Sequence, residues 1–135
     1  MKIAVCLDDR NGMLFCGRRQ SKDQYLRREL LQLAQPNTLW MNSFSAKQFE
    51  EGDAIAVAED FLERVPQGQW CFVENTDIIP YKDNIECIAI YRWNRHYPSD
   101  VKFPLEIFCD NWRLISTRSF PGYSHDEITE EIYQL

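Results

Sequence analysis

Short apolar runs that end in a polar or acidic pair recur along this 135-residue chain. Lys2 to Leu7 runs into Asp8-Asp9, Thr38 to Met41 into Asn42-Ser43, and Trp70 to Val73 into Glu74-Asn75. Such runs read as buried strands with polar carboxyl ends. Helical spacing appears between them. Tyr25, Leu26, Leu30, Leu33 and Ala34 repeat on one helix face, with Ser21 as the expected N-cap, Asp23 in the first turn and Pro36-Asn37 as the stop. Ser43 is expected to cap a helix through Phe49, Ala54 to Ala58 reads as a further strand, and a short helix follows over residues 59–65. Strands alternating with helices call for an α/β protein: a mainly parallel sheet in a three-layer αβα arrangement. The length fits one domain over residues 1–135.

Further along, residues 80–84 read as a loop or short helix, Glu86 to Trp93 as a strand, and Trp112 to Ser119 as another. Asn11-Gly12 is a turn signal, and Met13 to Gln20 reads as irregular and basic. The tail carries two patterns. Ser124-His125-Asp126-Glu127 is a capping box, and Ile128, Ile132 and Leu135 then fit a helix, which local signals favour. Ile128, Glu130 and Ile132 also alternate as in a strand.

Composition bounds the function classes. The formal net charge is −6, which disfavours broad binding to a phosphate backbone while leaving room for a local basic pocket. The five cysteines, at 6, 16, 71, 87 and 109, include no CxxC pair. Cys6, Cys71 and Cys87 sit in apolar runs and read as core residues, so a cytoplasmic, reducing location is expected. No apolar stretch is long enough to span a membrane. Zinc-dependent ribonuclease chemistry needs clustered His and Asp ligands, whereas the chain has only His96 and His125, so no metal site is expected.

In open parallel sheets, ligands bind beyond the carboxyl ends of the strands. The candidate ligand-binding residues there are Asp8, Asn42, Ser43, Glu74, Asn75, Arg92, Asn94 and Arg95, with Asp9 and His96 beside them. Arg18 and Arg19 join them as the centre of the densest basic patch, which runs on through Lys22, Arg27 and Arg28. A guanidinium offers paired donors to phosphate or carboxylate. The second basic group interleaves Arg92, Asn94, Arg95 and His96 with Trp93 and Tyr97, a composition that suits stacking on a base. Each group also has a plain reading, as a solvated face or as arginines paired with nearby acids. Cys16 lies beside Arg18 and Arg19 and would need His96 or His125 as a base to act as a nucleophile. An incidental thiol is the simpler reading.

The order of these motifs resembles dihydrofolate reductase. The first strand with Asn11-Gly12, the start of the helix at Ser21 to Leu26, Thr38 to Ser43, Cys71 to Asn75, Tyr81, Ile88 to Tyr91, Asp100, Phe103-Pro104 and Trp112 carry the likeness. The resemblance implies that fold, with Asp23 at the place of the acid that holds the pterin ring and is the one catalytic candidate. It also implies two phosphate contacts for NADPH: a glycine pair after the cofactor-binding strand and a Gly-Arg pair after the second strand. Here Glu74-Asn75 and Asn42-Ser43 stand in those places. Standard NADPH use is therefore not expected. The favoured expectation is a small anionic or nucleotide-like ligand on this scaffold. A divergent NADPH-dependent reductase and a protein-interaction module or homodimer are the alternatives.

Overall fold

A computed structural model describes residues 1–108 and 112–134. Cys109 and Leu135, which entered the cysteine count and the helical reading of the tail, lie outside the described residues. The main sheet has seven strands in the order β5-β4-β6-β1-β7-β10-β9. The strands are β1 (Lys2–Leu7), β4 (Leu39–Met41), β5 (Ile55–Val57), β6 (Trp70–Phe72), β7 (Cys87–Arg92), β9 (Arg113–Phe120) and β10 (Ile128–Gln134). Strands β5, β4, β6, β1 and β7 pair in parallel, and β10 pairs antiparallel with both β7 and β9. Ile3, Ala4, Val5 and Leu7 are all fully buried, the near-continuous apolar run of a strand covered on both faces.

Helices cover both faces of the sheet. Helix α1 (Gln24–Ala34) buries Leu26, Leu30 and Ala34, four residues apart, against Ala4, Phe72, Ala89 and Tyr91. Burying a side chain such as Leu30 contributes about 1.5–3 kcal/mol. Helix α3 (Phe61–Arg64) packs Phe61 and Leu62 on the opposite face, with Ile3, Val5 and Leu7. Between them in sequence is the single turn α2 (Ser43–Ala46). Residues Ile79–Asn84 and Leu105–Phe108 form 3₁₀ turns. The architecture is thus the expected mostly parallel α/β sheet.

Several local expectations are corrected. Met13 to Gln20 is not irregular: β2 (Gly12–Phe15) and β3 (Arg18–Arg19) form a hairpin, which β8 (Val101–Lys102) extends to a three-stranded sheet. Its turn is Cys16-Gly17, both left-handed at φ 52° and 73°. That is the backbone a two-residue hairpin with the right twist requires. The N-cap of α1 is Asp23 rather than Ser21, and the N-cap of α2 is Asn42 rather than Ser43. A carboxylate or amide two or three bonds from the backbone reaches the N2 and N3 amides directly. The tail is a strand. Its capping box does not act, because Ser124 and His125 donate to Asp23 instead. The alternation of Ile128, Glu130 and Ile132 then follows, with Ile128 and Glu130 buried. Glu130 is tolerable inside because Tyr91 Oη donates to it at 2.8 Å and Arg118 closes on it at 3.1 Å. Tertiary pairing outweighs local propensity here.

Candidate functional site

The carboxyl end of the sheet is where the polar pairs gather. Asp8, just past β1, is fully buried. Its Oδ1 accepts from the amides of Arg10 and Gly12, both at 2.8 Å, and its Oδ2 from Gln20 Nε2 at 3.1 Å and Tyr97 N at 3.2 Å. Burial alone would raise the Asp8 pKa, but these hydrogen bonds outweigh it and hold the carboxyl below its ordinary value. Asp8 therefore folds the loop after β1 onto the segment after β7. His96 is exposed on that segment, with Nδ1 3.9 Å from Asp8 Oδ2.

Arg92, at the end of β7, points inward. Its Nε meets Glu131 at 3.2 Å, and its Nη1 donates to the Asp8 carbonyl and to Asn11 Oδ1. Asn11 has φ 63° and is fixed there by that contact. Asn94, also left-handed at φ 59°, donates to the Glu127 carbonyl and to Thr129 Oγ1. The Arg95 side chain is exposed. Protein partners thus engage Arg92 and Asn94, while Arg95 faces water.

A different arrangement surrounds β4 and β6. Arg19 reaches from β3 to Glu74, which follows β6, with Nε–Oε2 3.1 Å and Nη2–Oε1 3.3 Å. The same guanidinium donates to the Phe44 carbonyl at 2.9 Å and lies 4.5 Å from the centre of the Phe44 ring. Gln48 Nε2 completes the set at 3.0 Å from Glu74 Oε1. Asn42 caps α2 through Ser45 N at 3.1 Å and ties β4 to β6 through Asn75 Oδ1 at 2.8 Å. The amide and hydroxyl of Ser43 are both taken by the Glu59 carboxylate, at 2.9 and 3.0 Å.

Outside this layer an open cleft of about 650 Å³ is lined by Arg18, Arg19, Ser21, Lys22 and Phe44. Arg18 and Lys22 are exposed, and neither side chain has a hydrogen bond or ion pair among the described residues. From the first basic patch the cleft therefore takes two free cations and one guanidinium stacked on an aromatic ring. The second basic group does not line this cleft. A smaller cavity of about 270 Å³ is lined by Glu74 together with Met13, Thr76, Ile78, Val101 and Phe103 among others.

Asp23, the catalytic candidate, is buried at the start of α1. Its Oδ1 accepts from Tyr25 N, Leu26 N and Tyr123 N at 2.9, 3.2 and 3.0 Å. Its Oδ2 meets Ser124 N and His125 Nδ1, both at 2.9 Å. Burial by itself would raise the Asp23 pKa, but the Tyr123 amide, the His125 ring and the Ser124 and Leu26 amides outweigh it and hold the group far below the carboxylate range. Gly122 is needed beside it. A Cβ there would stand 2.8 Å from both Asp23 Oδ2 and the His125 carbonyl. Cys16 is exposed at the hairpin tip with its amide on Asp100 Oδ2, and neither histidine is among its hydrogen-bond partners. Cys71, by contrast, is buried on β6, and burial pushes its thiol up to about 12. His125 and Ser21 were missed as partners because 104 residues separate them. Among the described residues, no cluster of three or more His, Cys, Asp or Glu side chains could hold a metal ion. No described helix is long and apolar enough to cross a membrane.

No protein-family model and no curated protein matches the chain by sequence. Solved structures match it by shape, which defines the class: an α/β protein of the dihydrofolate reductase-like fold. One such structure is the dihydrofolate reductase from Enterococcus faecalis complexed with NADP(H) and RAB-propyl, with a TM-score of 0.70 and 11% sequence identity. The similarity covers 98% of this chain and 94% of that one. At that identity the likeness establishes the fold.

A dinucleotide pyrophosphate needs free amides or cations and close backbone approach at the strand ends. Here the end of β6 carries the Glu74 carboxylate, the Asn42–Asn75 hydrogen bond spans β4 and β6, and Glu59 holds the Ser43 amide. The residues at these two strand ends do not fit a pyrophosphate.

Proposed function

We propose that this chain binds a small anionic, nucleotide-like ligand in the cleft formed by Arg18, Arg19, Ser21, Lys22 and Phe44, without the standard NADPH-dependent reductase chemistry of its fold. The observation that carries this reading is the pair of free cations, Arg18 and Lys22, in a 650 Å³ cleft of a chain whose net charge is −6. An acidic protein that leaves positive charges unpaired in a concavity focuses a positive potential there. Arg18 can grip a phosphate or carboxylate with paired donors, and the Arg19–Phe44 stack offers a planar edge beside a base. Phe44 places the cleft beside the carboxyl end of β4, which agrees with where open α/β sheets hold ligands. Arg19 is already paired with Glu74, so the charge that meets an anion comes from Arg18 and Lys22.

The test is a thermal-shift and calorimetric series with inorganic phosphate, mononucleotides, NADPH and dihydrofolate. A ligand at 100 times its Kd stabilises the folded state by about 2.7 kcal/mol. The expected result is a shift with phosphate-bearing mononucleotides that the double variant Arg18→Ala/Lys22→Ala abolishes. Silence across the series, or a shift that the double variant leaves intact, refutes the assignment. A shift with NADPH accompanied by dihydrofolate-dependent NADPH oxidation would establish the reductase reading instead.

A further inference from the structure

Ser21 sits in the wall of the cleft, half-buried, between the free cations and the core. It does not cap α1, since Asp23 does so. Its hydroxyl lies 3.0 Å from Nε2 of His125. On the other side of that ring, Nδ1 is 2.9 Å from Asp23 Oδ2. Hydroxyl, imidazole and carboxylate therefore stand in line, with the Asp23 and His125 side chains 0% and 3% exposed.

The hydrogen bonds decide where the protons are. Asp23 is surrounded by donors: four amides and the Ser124 hydroxyl. An ionised carboxylate only accepts, so the proton of the Asp23–His125 bond belongs to Nδ1. In the neutral ring this tautomer leaves a lone pair on Nε2, facing the Ser21 hydroxyl and, at 3.1 Å, the Tyr97 hydroxyl. The ring cannot swing away, because Trp93 stacks on it at 4.6 Å and 27°. A serine hydroxyl within reach of a base whose orientation a third group fixes is the arrangement of nucleophilic acyl transfer.

We propose that Ser21 is a nucleophile, His125 its general base and Asp23 the positioning residue, and that the cleft hydrolyses small esters carrying a negative charge. This rests on the anion-binding reading of the same cleft for its choice of substrate. Ser21 Oγ forms a bond to the acyl carbon while its proton passes to His125 Nε2. The ester C–O bond then breaks, and the leaving alcohol takes that proton. Water attacks the acyl-serine, its proton passes through the same nitrogen, and Ser21 is regenerated with release of the acid. The overall balance is ester plus water to acid plus alcohol, with no oxidant or metal. Arg18 and Lys22 supply the positive charge that selects an anionic ester and opposes charge building up on the carbonyl oxygen.

The experiment uses the whole chain. It is treated with a fluorophosphonate probe and mapped by peptide mass spectrometry. Hydrolysis of p-nitrophenyl acetate and of the p-nitrophenyl monoester of succinic acid is followed in parallel. The expected results are an adduct on Ser21, at least tenfold higher kcat/KM for the succinate ester, and a loss of at least a hundredfold in Ser21→Ala. Because Ser21 is a cleft-wall residue, that variant keeps its fold, which circular dichroism checks. Tyr97→Phe, which removes the competing hydroxyl, is expected to retain the adduct. No adduct, an adduct elsewhere, or unchanged turnover in Ser21→Ala overturns the relay. A phosphate-induced thermal shift without labelling would overturn the relay and leave anion binding standing. Labelling of Ser21 with no preference for the charged ester would uphold the relay and overturn the substrate class.

Discussion

Glu74→Gln isolates the internal carboxylate that shares Arg19 with the cleft. In the native protein the Glu74 side chain is 8% exposed and grips Arg19 with two hydrogen bonds, while Gln48 holds it from the other side. Glutamine keeps an acceptor for Arg19 and removes the charge. Two effects of opposite sign follow. A charge-assisted pair becomes an ordinary hydrogen bond, which costs roughly 1–2 kcal/mol of stability, a Tm loss of about 3–8 °C for a chain of this size. A phosphate in the cleft no longer faces a carboxylate. At a separation of ~6 Å and an effective dielectric of ~40, intermediate between a protein surface and water, that repulsion is about 1.4 kcal/mol, a tenfold change in affinity. The expected outcome is a less stable protein that binds inorganic phosphate about tenfold more tightly, with the gain shrinking as salt is raised. Isothermal titration at two ionic strengths, with melting curves alongside, measures both. A variant with unchanged or weaker phosphate affinity refutes the account of how Arg19 and Glu74 share the cleft.

Other outcomes are expected from the same geometry. Gly122→Ala places a methyl 2.8 Å from Asp23 Oδ2 and from a backbone carbonyl, so it is expected to cost about 1–3 kcal/mol, read from denaturant midpoints. Asn42→Ala removes the cap of α2 and its tie to Asn75, for a loss of about 1–2 kcal/mol by the same assay. Asp8 and Asp23 both have pKa values below the unfolded value of about 3.9, so their stabilisation is fully present above that pH and is lost as pH falls through their folded values. Melting temperature is expected to hold from neutrality down to about pH 4 and then fall, less steeply in Asp23→Asn. A decline that begins near pH 6 would contradict this.

Much of the fold was legible because it rests on local signals. Parallel strands buried on both faces are short apolar runs, and β1, β4, β5, β6 and β7 all lie where such runs predict them. Helix α1 follows its apolar spacing closely. The hairpin of β2 and β3 was hidden because its turn uses Cys16 in a left-handed conformation, a residue without turn preference. Strand β10 came second to a helix because the residues just before it, Ser124 to Glu127, carry a helix-capping pattern whose serine and histidine are consumed by Asp23, about 100 residues earlier. The site was legible only as a collection. Residue type placed Asp8, Asn42, Glu74 and Arg92 at the strand ends, yet their partners lie from 2 to 89 residues away in sequence. No spacing rule distinguishes an arginine that pairs with a buried acid, such as Arg19, from its neighbour Arg18, which stays free. The alignment of Ser21, His125 and Asp23 likewise exists only after folding.

The most direct measurement is amide chemical-shift mapping of the isotope-labelled protein during titration with a mononucleotide. The account predicts saturable shifts concentrated at residues 18–22 and at Phe44, diminished by salt and lost in Arg18→Ala/Lys22→Ala. Saturable shifts centred instead on residues 92–96, or none up to millimolar ligand, would contradict it.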